Sequence, residues 1–426
     1  MQEISFLKKN IKKEDAYINV FFFTMMFLFF MWFALWCRSP NGRESNIFFG
    51  KLCDMFADFF NVLRYISEKN PYFNTVNGFS EKEYLPLAYF ILYPFSLLNN
   101  YANMSLEDCW HSNISVFSCF LYITICLFFL FNSLQCLCKK YGLSSKIVYA
   151  LFFSSVVVRS IDRANIFFLA AASLNYFLVF YDSEVKKERI FACFALTFAA
   201  TLKIYPVIFI LLYVASKNYK EVSLTIIIGL LLAFLPFLFF RHGFGNILRL
   251  YENVKLANEY DFFGDFAGAL ARPVMFLTQN ILHMEGGMIF VKITRYLILS
   301  LSVLSLSLLF IKSETLKTWD KFVILTFSVL YFPNTNKLYT GMYIFPLVIL
   351  FFATLNERIK IKNWLILVLF VIALCPFQVY EDFCWQVLHI VPLVIGLIVI
   401  CMRIKYLVVL QHRKIEDGEV KKMNCD

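Results

Sequence analysis

The chain has 426 residues, of which 60% are hydrophobic and 16% charged, with 52 phenylalanines and a formal net charge of +10. That much apolar side chain excludes a water-soluble globular domain, because only a bilayer solvates it. Hydrophobic runs recur from residue 17 to residue 402, so the excess of Lys and Arg is read as setting orientation in a membrane, and nothing in it points to nucleic acid.

Residues 1–16 are polar and Lys-rich, and the run at 17–37 is long enough to cross a bilayer, which predicts a retained first helix. Further apolar runs follow at 114–137, 144–159, 164–181, 189–202, 204–216, 221–240, 296–312, 321–333, 338–354, 363–379 and 384–402. Several are short and come as neighbours. Each such pair reads either as a hairpin with a buried polar tip or as one bent element. The expected fold is an all-α polytopic membrane protein of about twelve spans, in the range ten to thirteen, forming one integral membrane domain over 1–426. The stretch 84–98 carries Pro86 and Pro94 and suits a re-entrant or surface element better than a span.

With the N-terminus in the cytoplasm, every inside segment is short and basic. These segments hold Lys8 to Lys13, Lys139 and Lys140, Lys186 to Arg189, Lys217 and Lys220, Lys312 to Lys321, Arg358 to Lys362, and the cytoplasmic tail 403–426. The outside then holds a long first loop, 38–113, expected to carry interfacial helices, a second loop, 241–295, and four short polar tips. Polar chemistry is therefore expected on one face, at span ends.

Asp54 and Asp58 open that face. At a spacing of four they would share one side of a helix, with Phe56, Phe59, Phe60 and Leu63 on the others. A carboxylate partly desolvated among aromatics suits a general base, and solvated acids on a surface helix are the other reading. Tyr84 begins an aromatic and proline-rich approach to the apolar segment, as a membrane-surface anchor or a substrate contact. Arg159 to Asn165 packs two arginines, an aspartate and an asparagine between apolar runs; it is either an Arg–Asp pair closing a hairpin or a phosphate- or sugar-binding tip. Lys203, flanked by apolar runs, either snorkels to water or meets an anion. The second loop contains Arg272. The tip Pro333 to Tyr339 offers Asn334 and Lys337 to a hydroxyl-rich ligand, or is a capped turn. The twelve cysteines form no metal pattern, and one disulfide among Cys53, Cys109, Cys375 and Cys384 stays open.

Taken together, Asp58-Phe59, Asn70-Pro71-Tyr72, Tyr84-Leu85-Pro86-Leu87-Ala88, Arg163-Ala164-Asn165 and Lys203-Ile204-Tyr205-Pro206 resemble glycosyltransferase family 87 over roughly residues 50–350. These are membrane enzymes of the C-type superfamily that use a polyprenyl-phosphate sugar, often mannose, as donor. Arg163-Ala164 stands where a Gly-Gln or similar pair would be expected. The resemblance implies a hexosyl transfer, with inversion, from the lipid-phosphate donor to a glycolipid or glycan acceptor on the extracytoplasmic face. It implies Asp58 as the base with Asp54 beside it. Lys203, Arg163 and Arg272 would then face the donor phosphate, and Asn165, Tyr205, Tyr84, Asn334 and Lys337 the substrates. No metal or other cofactor is required by such a reaction. The alternatives are a lipid-linked saccharide transporter, or a C-type enzyme for another sugar. A bacterial plasma membrane with both termini cytoplasmic is expected, and two sequons, at Asn103 and Asn113, leave an endoplasmic reticulum membrane open.

Overall fold

The computed structural model describes residues 2–38, 55–74, 76, 82–260, 287–311, 313–332, 338–355, 360–375, 391 and 393–407. Among these residues every regular element is helical and no strand forms. A helix satisfies its backbone N–H and C=O groups within its own segment, which a chain this apolar needs wherever water is excluded.

The helices in chain order are α1 (Gln2–Arg38), α2 (Ala57–Ile66), α3 (Pro86–Ser96), α4 (Leu106–His111), α5 (Asn113–Lys140), α6 (Lys146–Phe152), α7 (Ser155–Arg163), α8 (Phe167–Phe180) and α9 (Lys186–Leu202). They continue with α10 (Leu211–Ala215), α11 (Tyr219–Phe234), α12 (Asn246–Tyr260), α13 (Gly287–Phe310), α14 (Thr318–Tyr331), α15 (Phe345–Ala353), α16 (Lys360–Leu374) and α17 (393–407). Among the described residues, four stretches are long and apolar enough to cross a membrane: Glu14–Leu35, Asn113–Lys140, Tyr219–Phe239 and Lys292–Phe310. Shorter apolar helices cover Phe167–Phe180, Tyr205–Ala215, Tyr339–Ala353 and Asn363–Leu374. Phe23, Phe27 and Phe30 on α1, Phe117 and Phe128 on α5, and Ile227, Leu230 and Leu231 on α11 face outward. An outward apolar belt of this extent suits lipid, not water.

The helices α5, α8, α9 and α11 pack side by side on small residues, including Ala170, Ala171, Ala192, Ala195 and Ala199, all buried. Polar ties gather at the two ends of these helices. At one end Lys140 of α5 donates to the Leu178 and Val179 carbonyls at 3.0 and 2.8 Å and pairs with Asp182. There too Arg189 pairs with Glu221 at 2.9 Å. These basic residues belong to the segments that the Lys/Arg pattern places inside. The opposite end carries α2, α3 and the C-termini of α7 and α9.

The apolar runs break where residue chemistry demands it. The helix α1 extends back to Gln2, through a polar stretch rich in the good helix formers Lys and Glu. The run at 144–159 divides at Ser154, whose hydroxyl caps α7 by accepting from Val157 N. After α9 the chain turns through a 3-10 segment, Tyr205–Ile210, where Pro206 supplies no N–H. The stretch 84–98 forms the eleven-residue α3, with Pro86 in its first turn and Pro94 inside. That is too short to cross a bilayer, as a re-entrant or surface element should be. The segment read as a second outer loop is helical over 246–260 and again from Gly287, while 261–286 lies outside the described residues.

A methyl added at Gly396 of α17 would sit 2.5 Å from Cδ2 of Phe327 on α14. Gly396→Ala should therefore cost about 1–3 kcal/mol and lower the thermal midpoint of the purified protein. Gly229→Ala, whose methyl would meet Thr197 at an acceptable 3.4 Å, should change it little.

Candidate functional site

The site starts with an abrupt helix start. Phe56 sits in the left-handed region, at φ 56° and ψ 17°, a conformation costing a non-glycine residue about 1 kcal/mol. Three contacts hold it there. Its N–H donates to the Asp162 carbonyl at 2.7 Å, its ring lies edge-on to Phe60 and Phe120, and Trp110 Nε1 donates to the neighbouring Met55 carbonyl at 2.8 Å. The helix α2 then begins at Ala57, with Asp58 in its first turn, where the helix dipole favours an anion. Phe59, Phe60, Val62, Leu63 and Ile66 are buried, and Phe59 stacks on Tyr122 at 4.8 Å, which fixes the rotation of α2.

The partner segment is also turned by a left-handed residue. Ala164, at φ 49° and ψ 42°, ends α7 and reverses the chain, so that Arg163 and Asn165 both reach Asp58. Arg163 Nη2 lies 2.6 Å from Asp58 Oδ1, and Asn165 Nδ2 donates to Oδ2 at 2.6 Å. Asn165 is fully buried and its amide bridges several groups. Its Oδ1 accepts from Phe167 N at 2.9 Å, which fastens the start of α8, and its Nδ2 also reaches the Tyr84 hydroxyl at 3.3 Å. Arg159 meanwhile pairs with Asp162 at 3.3 Å, one turn back on α7. Of the two readings of the charged tip, the local Arg–Asp pair is present, and the second arginine reaches across to α2.

Tyr84 precedes α3, and its carbonyl accepts from the buried Tyr72 hydroxyl at 2.9 Å. Lys203, immediately after α9, places its ammonium 4.2 Å from the Tyr84 ring centroid and 5.9 Å from that of Tyr339. Ring faces at these distances stabilise a cation. Burial raises the Tyr84 phenol above its ordinary value, with the Lys203 ammonium opposing that shift, so the phenol keeps its proton at neutral pH. Beyond Lys203 lies an apolar cavity of about 570 Å³, lined by Ile204, Tyr205, Val207 and Ile208 on one side and Leu299, Val329 and Phe332 on the other. Arg295 borders it, donating to the Tyr331 and Phe332 carbonyls at 2.7 Å each.

The structure therefore joins Asp58, Arg163, Asn165, Tyr84 and Lys203 in one connected cluster, with Tyr205 lining the adjoining cavity. Asp54, Arg272, Asn334 and Lys337 lie outside the described residues. Among the described residues α2 begins at Ala57, after left-handed Phe56. Asp58 is not a carboxylate surrounded by aromatics alone, since both of its oxygens carry polar partners. Arg163, expected to face a donor phosphate, pairs its guanidinium with Asp58. Tyr339, the tyrosine that ends the polar tip beginning at Pro333, completes the setting of Lys203.

Chemically, the cluster offers a carboxylate with one oxygen on a guanidinium and the other on a neutral amide. An incoming hydroxyl can displace the amide and give up a proton to that oxygen. A cation stands on the other side of Tyr84, suited to an anion. Cys109 is a free thiol, and Cys53 and Cys384 lie outside the described residues. Among the described residues no His, Cys, Asp and Glu side chains converge as a metal site. Comparison of the chain with family models, curated proteins and solved structures returns no match.

The pairing of Asp58 with Arg163 predicts a large coupling. Arg163→Ala should destabilise the protein more in the wild-type background than in Asp58→Asn, with an interaction energy of about 1–3 kcal/mol. A double-mutant cycle on thermal or denaturant unfolding measures it.

Proposed function

We propose that the protein is a membrane glycosyltransferase that moves a hexose, with mannose as the leading candidate, from a polyprenyl-phosphate donor to a glycolipid or glycan acceptor. The carrying observation is the cluster itself. A carboxylate, an ammonium and an apolar cavity follow one another along a few residues, Asp58 to Tyr84 to Lys203 to Ile204. A lipid-phosphate sugar has the matching sequence of parts: a reacting carbon, a phosphate and a hydrocarbon chain. The cavity volume of about 570 Å³ falls in the usual range for a small-molecule site, enough for a few isoprene units beside the headgroup.

In this reading the acceptor hydroxyl displaces Asn165 from Asp58 Oδ2. Its oxygen forms a bond to the anomeric carbon while the bond from that carbon to the phosphate oxygen breaks. The proton passes to Asp58, and the electron pair leaves with the lipid phosphate, whose charge Lys203 balances. One displacement inverts the anomeric centre, so a β-linked donor gives an α-linked product. Arg163 orients the carboxylate. Tyr84 and Tyr205 line the path of the substrates, and Asp54, Arg272, Asn334 and Lys337 are the further substrate contacts that the family likeness implies. The likeness of the motifs to glycosyltransferase family 87 supports the same assignment. About twelve crossings, counting each short or broken apolar element as one, would put the cluster on the extracytoplasmic side of a bacterial plasma membrane and both termini in the cytoplasm.

Two substitutions test this reading in proteoliposomes supplied with radiolabelled polyprenyl-phosphate mannose. Asp58→Asn should lower turnover by about 10²–10⁴-fold with donor binding retained. Lys203→Ala should lower transfer by about 10²–10³-fold. Undiminished transfer by Asp58→Asn removes the base assignment, and a wild-type protein that consumes no lipid-phosphate sugar removes the enzyme class.

A further inference from the structure

The helix α12 is amphipathic in the inverted sense. Its polar face is turned into the protein: Asn246 and Asn253 are both 0% exposed. Asn246 Nδ2 donates to the Arg241 and Gly243 carbonyls at 2.7 and 2.9 Å, and Asn253 Nδ2 reaches the Tyr72 and Lys82 carbonyls at 3.4 and 3.3 Å. Seven residues apart, the two asparagines share one side of the helix. The opposite side carries Leu248 and Tyr251, which are 74% and 70% exposed, with Phe244 just before the helix at 51%. Exposed Lys255 continues that side, and Arg241 is exposed at its start. Three large apolar side chains in a row do not face water without a reason.

Chain continuity identifies what covers them. The apolar stretch Tyr219–Phe239 ends seven residues before Asn246, and its last turns expose Leu235 and Leu238 at 59% and 58%. A backbone bond from Arg241 N to the Lys69 carbonyl, 2.9 Å, holds the connection against the end of the helix bundle. The exposed side of α12 therefore continues the outward belt of the preceding stretch at the level where that stretch ends. We propose that α12 lies in the headgroup layer of the bilayer, with Phe244, Leu248 and Tyr251 inserted among the upper acyl segments. Arg241 and Lys255 then stand at phosphate depth, the arrangement of an interfacial helix.

The placement bears on the site. Asn253 grips the Tyr72 and Lys82 carbonyls, and the Tyr72 hydroxyl holds the Tyr84 carbonyl. A helix resting on the lipid surface thus sets the height of Tyr84, and with it Lys203, relative to the headgroups. The inference rests on the membrane-spanning reading of Tyr219–Phe239 and is independent of the transfer reaction.

Photocrosslinking of the full chain tests it. Benzoylphenylalanine is placed singly at Leu248, Tyr251 or Phe128, the last being an outward residue of α5 that is 63% exposed. The protein is reconstituted in nanodiscs of phosphatidylcholine and phosphatidylglycerol, irradiated, and its adducts are read by mass spectrometry. Lipid adducts at all three positions are expected. Adducts at Phe128 with none at Leu248 and Tyr251, or protein–protein adducts at those two, overturn the placement of α12. Loss of lipid adducts at Phe128 as well overturns it together with the membrane reading, while leaving the transfer assay as a separate question.

Discussion

The bond on which the structure depends is the grip of Arg163 and Asn165 on the Asp58 carboxylate, at 2.6 Å on each oxygen. An ionised carboxylate at the end of an apolar helix bundle is costly unless it is paired and hydrogen-bonded. Here one arginine and one amide provide this, and in doing so they tie the start of α2 to the junction of α7 and α8, more than a hundred residues away. The tie needs two sharp changes of direction, and the two left-handed residues, Phe56 and Ala164, provide them. Neither is a glycine. Each is held by its surroundings: Phe56 by its bond to Asp162 and its aromatic neighbours, Ala164 by burial and by its own N–H on the Ile161 carbonyl. Backbone strain placed on both sides of one carboxylate is the pattern of a preorganised site.

The sequence revealed most where the physics is local. Apolar runs announce helices because a bilayer leaves the backbone no other partner, and the basic residues identify one end of the bundle because Lys140 and Arg189 do meet their partners there. Asp58, Arg163, Asn165, Tyr84 and Lys203 were legible as charged or polar residues at the ends of apolar runs, where solvation alone gives no reason for them. Their mutual contacts were not legible. Nothing in the spacing of Arg159-Ser160-Ile161-Asp162-Arg163 says which arginine stays with Asp162 and which crosses to Asp58. That choice is made by helix geometry, which stacks Arg159 over Asp162, and by the turn at Ala164, which aims Arg163 away. The pairing read between Asp54 and Asp58 is half visible: bonds to Met55 and Phe56 fix the start of α2 at Ala57, and Asp54 lies outside the described residues.

Asn253 shows the opposite limit. In sequence it is one more polar residue in the segment read as the second outer loop. In the fold it is fully buried, because the outside of α12 is taken by Leu248 and Tyr251. Such inversion is uninterpretable without knowing what lies outside the helix, and it makes sense once the surroundings are apolar on that side. The same logic runs through the whole chain. Among the described residues, Arg295 and Arg403 likewise turn inward onto backbone carbonyls.

A structure of the protein in nanodiscs with a bound polyprenyl-phosphate sugar tests the central claim most directly. Density for the phosphate is expected within hydrogen-bond reach of Lys203 Nζ, with the hydrocarbon chain entering the cavity between Ile204–Ile208 and Leu299–Phe332 and the anomeric carbon on the Asp58 side of Tyr84. Lipid density elsewhere, with the Asp58, Arg163 and Asn165 contacts remote from the sugar, would contradict it.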